Sequence, residues 1–290
     1  MPKFSGLRRH RVTRFKIVVP AYNCERWLER CLDSIAAQTY REFDVCVIDD
    51  ASTDINQRTI IETACRRHGW MFHFNDTNRG ALANIVHGIQ LLAPRDEDVI
   101  VTVDGDDWLY HEHALERLDD VYRSGDVYLT YGQFMVYPRG NVGFCRPIDA
   151  RIIERGMLRQ VRFRISHLRT FKYLLWRHIR DQDLRDGSGD YFRVAWDLAF
   201  MYPMMEMAGF HFRFVDDILY VYNKANPLSD KKLRRHEQLA NEQLIRSKPP
   251  YAALIPGPSP KLSTATAATP FKYLGLTLWW HLRRVLRLAW

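Results

Sequence analysis

Three carboxylates stand together in Asp104-Gly105-Asp106-Asp107, directly after the apolar run Val99-Ile100-Val101-Thr102-Val103. Carboxylates clustered at the end of a buried strand repel one another and resist desolvation. A hard divalent cation, Mn2+ or Mg2+, relieves both, because such ions take oxygen ligands and are typically shared with substrate phosphates. The same residues also read as a solvated acidic turn in which Asp106 or Asp107 caps the next helix. A second acidic strand end, Asp49-Asp50 with Ser52, Thr53 and Asp54 behind it, weighs for a site, as do the Asn-bearing turns at Pro20–Asn23 and Asn75–Gly80.

The elements that must position these turns alternate. Phe15–Pro20 reads as a buried strand stopped by Pro20. Asn23 then caps a helix over Cys24–Gln38, with Trp27, Leu28, Cys31, Leu32 and Ile35 at helical spacing. A strand over Glu42–Asp50, a helix over Asn56–His68, a strand over Trp70–Phe74 and a helix over Ala81–Leu92 lead to the Val99 run. A helix over His111–Arg123 and a strand over Asp126–Tyr137 follow. This pattern predicts an α/β fold with a mostly parallel central sheet and helices on both faces. Ligands bind such sheets beyond the carboxyl ends of the strands, so the four turns should converge on one rim. No G-x-x-x-x-G-K-[ST] occurs, and no G-x-G-x-x-G follows the first strand, which argues against P-loop and dinucleotide-binding enzymes.

Val18-Val-Pro-Ala-Tyr-Asn23, Val47-Ile-Asp-Asp-Ala-Ser-Thr-Asp54, Asn78-Arg-Gly80 and Val103-Asp-Gly-Asp-Asp107 occur in this order. Together they resemble the family 2 glycosyltransferases of the GT-A fold, whose members show a P-x-Y-N turn, a D-D-x-S-x-D loop and a D-x-D-D metal motif. The likeness covers residues 15–135. It implies a GT-A, Rossmann-like nucleotide-diphospho-sugar transferase fold. It also implies an inverting, metal-dependent transfer of a sugar from a nucleoside diphosphate, UDP being expected, to a hydroxyl of a glycan or lipid-linked acceptor in cell-surface polysaccharide synthesis. By the same resemblance Tyr22 lies against the base beside Pro20 and Ala21, and Asp50 accepts from the uracil ring. Arg79 sits near the diphosphate, Asp104 meets the ribose or the metal, and Asp106 binds the metal. Each role suits its side chain: an aromatic face stacks a base, a carboxylate takes a ring N–H, and a metal neutralises the leaving diphosphate.

After Pro138 the alternation is lost. Residues 141–190 read as loops rich in Arg, His and aromatics around a helix near Thr170–Ile179. Residues 15–137 are thus expected to bind the nucleotide sugar, and 138–247 the acceptor. The acidic, glycine-bearing loop Asp181–Asp190 reads as a flexible connection or a lid. Val194–Gly209 reads as a helix containing Pro203, with Asp197 as its N-cap. Asp197 also matches the position of the family's acid that deprotonates the acceptor. The usual Glu-Asp pair is missing there, Ala195-Trp196 standing before Asp197, and Asp190 is the competing candidate for the base. His211–Tyr222 reads as strand. Asn223, Lys224 and Asn226 stand where many family members place a histidine, so no metal ligand is assigned there, although Lys224 could face phosphate. Lys231–Ser247 reads as a charged helix on the solvated outer face.

The net charge of +8 is uneven. Residues 1–16 hold six basic residues and no acid, residues 243–290 hold seven and no acid, and residues 17–242 sum to −5. A nucleic-acid-binding domain would carry its basic footprint on the folded body, so no nucleic-acid partner is expected. Basic tails at 1–14 and the C-terminus suit an anionic membrane surface. Residues 248–270 are Pro-rich and read as a linker. Residues 271–290 set Phe271, Leu274, Leu278, Leu282 and Val285 against Lys272, Arg283, Arg284 and Arg287, a basic amphipathic helix that lies in a membrane plane or docks on the body. No apolar stretch follows the basic N-terminus, and no run of about 18 uncharged apolar residues exists, so neither a secretory signal nor a spanning helix is expected. Five cysteines without a C-x-x-C pair suit a reducing cytosol, and the expected location is peripheral, on the cytoplasmic face of the membrane. A nucleotide-sugar pyrophosphorylase and a non-catalytic, membrane-tethered nucleotide-sugar-binding module are the alternative functions.

Overall fold

The structure, a computed structural model, describes residues 12–227 and 235–255. Most of the basic N-terminal tail, residues 256–270 of the expected linker and the amphipathic helix expected over 271–290 lie outside the described residues. The first half folds as β1 (Phe15–Ala21), α1 (Glu25–Ala36), β2 (Phe43–Asp49), α2 (Ile55–His68), β3 (Met71–Phe74), α3 (Ala81–Leu92) and β4 (Val99–Thr102). β1 lies between β2 and β4, parallel to both, and β3 adds in parallel to β2. The chain continues through β5 (Trp108–Leu109), α4 (Ala114–Arg123), β6 (Leu129–Tyr137), β7 (Asn141–Val142), α5 (Ala150–Glu154), β8 (Arg169–Lys172) and α6 (Tyr173–Trp176). A 3-10 turn at Asp181–Leu184 leads to α7 (Trp196–Ala208), β9 (Phe212–Asn223) and α8 (Arg235–Ser247). The sheet runs β3-β2-β1-β4-β8-β6-β9-β5, with β7 on β6.

Both faces of the sheet are covered. On one, Leu28, Cys31, Leu32 and Ile35 of α1, Ile61 of α2 and Leu115 and Leu118 of α4 pack on Ile17, Val19, Val47 and Val101. On the other, Leu82, Ile85 and Ile89 of α3 and the buried face of α7 pack on Val18, Ile48, Ile100 and Tyr131. Gly88 lets α3 press onto β1, since a Cβ there would lie 2.6 Å from Val18 Cγ1.

Several expectations change. Pro20 does not end β1. Its carbonyl accepts from Gly105 N, so its missing N–H faces the β4 side, beyond the last β1–β4 pair, Val18 with Thr102. Asn23 does not cap α1; Cys24 occupies that position without a side-chain cap. Residues 170–179 are not one helix. β8 fills the slot between β4 and β6, antiparallel to each, because the backbone groups of both neighbours need partners there. Asp197 is not an N-cap: Ala195, at φ +56°, precedes the helix and Asp197 lies in its first turn. Pro203 leaves α7 continuous. α8 is not wholly solvated, since Ile245 is buried and Arg246 donates to the carbonyls of Arg159 and Val161. The first part of the expected linker is anchored: Tyr251 OH donates to Asp183, and Leu254 N donates to Met207 O.

Candidate active site

A cavity of about 750 Å³ opens at the carboxyl ends of β1 and β4. Pro20, Ala21, Tyr22, Asp50, Asp104, Asp106 and Asp197 all line it. Arg79 and Asp190 do not; they line a neighbouring recess of about 330 Å³ beside α3. Asp190 belongs to a loop closed on itself, in which the Asp186 carboxylate accepts from Ser188 and from Asp190 N.

The rim is knitted by side chains. Asn23, at φ +44°, takes a left-handed turn, and its Oδ1 accepts from Thr53 N at 2.9 Å. Ser52 Oγ accepts from Asn23 N, and Gln57, fully buried, donates to Asp49 Oδ1 while accepting from Cys24 N. Asp49 is therefore consumed in the fold. Asp50, also buried, accepts from Asn75 Nδ2 (2.9 Å), Arg79 N (2.8 Å) and Gly80 N (2.8 Å), which fixes the start of α3. Tyr22 stands 44% exposed, its ring offered to the cavity.

Gly105 packs the 104–107 turn against β1: a Cβ would lie 2.9 Å from Ala21 Cβ and 3.1 Å from Ala21 Cα. Asp106 Oδ2 accepts from Asn226 Nδ2 at 2.8 Å, and Asn223 Nδ2 donates to Asp106 O. Asp107 turns inward. It does not cap α4, whose N-cap is His113; instead its Oδ1 accepts from Asn223 N at 2.7 Å. Its Oδ2 is buried with no hydrogen-bond partner among the described residues. Burial raises the Asp106 carboxyl above its usual range, opposed by the Asn226 hydrogen bond. Burial, then the charges of Asp106 and Asp104, push Asp107 well up. Asp104, Asp107 and His167 each offer a ligand atom, all within 4.8 Å of one another. An oxygen-rich donor set with an unsatisfied buried carboxylate oxygen fits a hard divalent cation.

The opposite wall comes from the second half of the chain. Arg169, 2% exposed, places Nη1 3.3 Å from Asp197 Oδ2 and Nη2 3.9 Å from Asp104 Oδ2. His167 stacks on Tyr220 at 4.6 Å and on Tyr222 at 5.3 Å, and Tyr220 OH accepts from Asp104 N. Arg193 donates to Asn78 Oδ1 and O, closing the rim beside Gly80. Arg169, His167, Arg193 and Trp196 line the cavity but were not singled out by sequence reading. The available signal was weak: Arg169 precedes Thr170-Phe171, a β-branched and aromatic pair of strand-like composition.

The family model for glycosyl transferase family 2 matches residues 16–183, more than half of the chain. The chain belongs to glycosyl transferase family 2. This family member is 30% identical over 101 residues to the glycosyltransferase GlyA of Streptococcus pneumoniae, a match covering 35% of this chain and 14% of that protein. It is 25% identical over 244 residues to the chondroitin synthase of Escherichia coli, covering 81% of this chain and 33% of the synthase. The chain thus spans a third or less of the length of these two relatives. TarS from S. aureus matches in structure with a TM-score of 0.57 at 18% identity, over 80% of this chain and 65% of that one. Glucosyl-3-phosphoglycerate synthase from Mycobacterium tuberculosis, in complex with Mn2+, UDP and glucosyl-3-phosphoglycerate, matches with a TM-score of 0.52 at 17% identity, over 81% of this chain and 80% of that one. These likenesses show the GT-A fold expected from the sequence.

Proposed function

We propose that this chain transfers a sugar, with inversion, from a nucleoside diphosphate to a hydroxyl of a glycan or lipid-linked acceptor, with Mn2+ or Mg2+ as cofactor. One observation carries the reading. A single buried arginine touches both Asp104, at the strand end where the family holds its donor, and Asp197, on the opposite wall, so the two carboxylates share one reaction space. A UDP-sugar is the favoured donor; structural neighbours solved with UDP and with UDP-GlcNAc support this choice.

In this reading Tyr22 stacks the base beside the backbone of Pro20 and Ala21. Asp50 accepts the uracil N–H with the capacity its three internal donors leave, since a carboxylate offers about four acceptor sites. Arg79 reaches toward the diphosphate from the adjoining recess. Asp104 and Asp106 would hold the cation, with Asp104 shared with the ribose and with Asp107 and His167, which cluster with Asp104, available as further ligands. The ion, when bound, neutralises the charge developing on the leaving diphosphate. Asp197 takes the proton of the acceptor hydroxyl as its oxygen bonds to the anomeric carbon. The bond from that carbon to the diphosphate oxygen breaks as the new one forms, which inverts the centre. A positioned carboxylate base contributes on the order of 10²–10⁴-fold.

Attachment to an anionic membrane surface at the cytoplasmic face, and a role in cell-surface polysaccharide synthesis, rest on the sequence alone. No helix among the described residues is long and apolar enough to cross a membrane. Family membership sets aside the pyrophosphorylase alternative. The binding-module alternative predicts donor binding without turnover. The test is UDP release from a panel of UDP-sugars with Mn2+, using wild type and Asp197→Asn. The expected result is release by wild type, and loss on the order of 10²–10⁴-fold in Asp197→Asn with UDP affinity unchanged. Undiminished transfer by Asp197→Asn overturns the assignment of the base.

A further inference from the structure

We propose that Arg169 is a positioning residue for the transfer step: it sets the Asp197 carboxylate in register with the donor end of the cavity by engaging Asp197 and Asp104 together. The proposal rests on the reading of Asp197 as the base.

The molecule contains a second buried arginine for comparison. Arg159 is 8% exposed and meets Glu206, whose side chain is 7% exposed, through Nε–Oε1 at 2.6 Å and Nη2–Oε2 at 2.8 Å, while Nη1 donates to Ile245 O at 2.7 Å. It does not line the cavity. Such a closed, bidentate pair is a structural tie. Arg169 is more deeply buried, yet it divides itself between two carboxylates at longer range, 3.3 and 3.9 Å, and its Nε has no hydrogen-bond partner among the described residues. Its partners are not buried with it: the side chains of Asp104 and Asp197 are 21% and 26% exposed and face the cavity. A pair built only for stability would bury and saturate both members, because a guanidinium taken out of water costs much unless its donors are met.

Its placement gives the reason. Arg169 sits opposite Thr102 in the β4–β8 register, two residues before Asp104. Its guanidinium carbon lies 5.2 Å from the Trp196 ring centroid, and Trp196 is the residue before Asp197 on α7. One β8 side chain therefore registers the start of α7 against the end of β4. A planar fork addresses two carboxylates at fixed angles, which a flexible ammonium does not.

The test uses Arg169→Met and Arg169→Lys, with Arg159→Met as the structural control, in the full chain. Three quantities are measured: UDP affinity with Mn2+ by calorimetry, kcat for transfer, and melting temperature. The expected result is a fall in kcat on the order of 10²-fold for Arg169→Met, as for a base misplaced by about 1 Å. UDP affinity should stay within about threefold, the signature of an interaction used in the transition state. Arg169→Lys should recover little of the loss. In the Asp197→Asn background Arg169→Met should add less than about threefold, because both changes act through one carboxylate. Arg159→Met should lower the melting temperature and spare kcat. Full activity in Arg169→Lys, additive losses in the double variant, or a loss explained by melting temperature alone overturns the proposal. Transfer retained in Asp197→Asn marks failure of the base reading instead.

Discussion

Residues 15–137 carry 11 Lys and Arg against 21 Asp and Glu, a formal −10, whereas residues 138–247 carry 20 against 13, a formal +7. In the sheet the two halves interleave. The first half contributes the parallel array β3-β2-β1-β4 together with β5 and β6, and the second adds β8, antiparallel to β4 and β6, β7, antiparallel to β6, and β9, parallel to β6 and antiparallel to β5. In the first half the acids gather at strand ends, so like charges meet on one rim at an electrostatic cost. The second half answers with a cation, Arg169, and two amide side chains, Asn223 and Asn226, which hold the Asp104–Asp107 turn. The acidic half thus gathers the carboxylates proposed for metal and nucleotide, and the basic half supplies what makes their clustering tolerable.

Three variants would break or sharpen that division. The largest effect is expected from Asn226→Ala, which crosses it. Asn226 orients Asp106, and loss of such an outer partner lowers metal affinity about 10–100-fold; UDP titrations at graded Mn2+ would show it, and unchanged Mn2+ dependence would detach Asp106 from the metal. Tyr22→Ala, confined to the acidic half, should weaken UDP binding by about 1–3 kcal/mol with acceptor KM unaltered, which calorimetry beside acceptor titration would check. The smallest effect is expected from Lys224→Ala. Its ammonium lies 5.9 Å from the Tyr222 ring centroid and does not line the cavity, so donor KM should stay within about twofold. A larger rise would return Lys224 to the phosphate.

Much of the first half was legible because a parallel βα array leaves little choice. Apolar runs fix the strands, 3.6-residue spacing fixes the helices, and right-handed crossovers bring alternate turns to one rim. Tyr22, Asp50, Asp104 and Asp106 could therefore be placed on that rim from the chain alone. The second half was less so. β8 lies between β4 and β6 although it follows both in sequence, and no local pattern announces such an insertion. Residues 170–179 consequently read as helix, and Arg169 went unnoticed.

The sequence by itself determined the fold family, the four turns and the chemistry their side chains can perform, since these follow from residue type, spacing and topology rules. Tertiary structure decided how otherwise equivalent carboxylates are used. Asp49 is spent on Gln57 and Ser52, Asp107 gives one oxygen to Asn223 N and clusters with Asp104 and His167, and Asp190 is held away beside α3, while Asp104, Asp106 and Asp197 face one cavity. The reason is physical. A carboxylate looks the same in any stretch of chain; whether it faces solvent, substrate or a buried N–H depends on partners that here lie as far as 120 residues away.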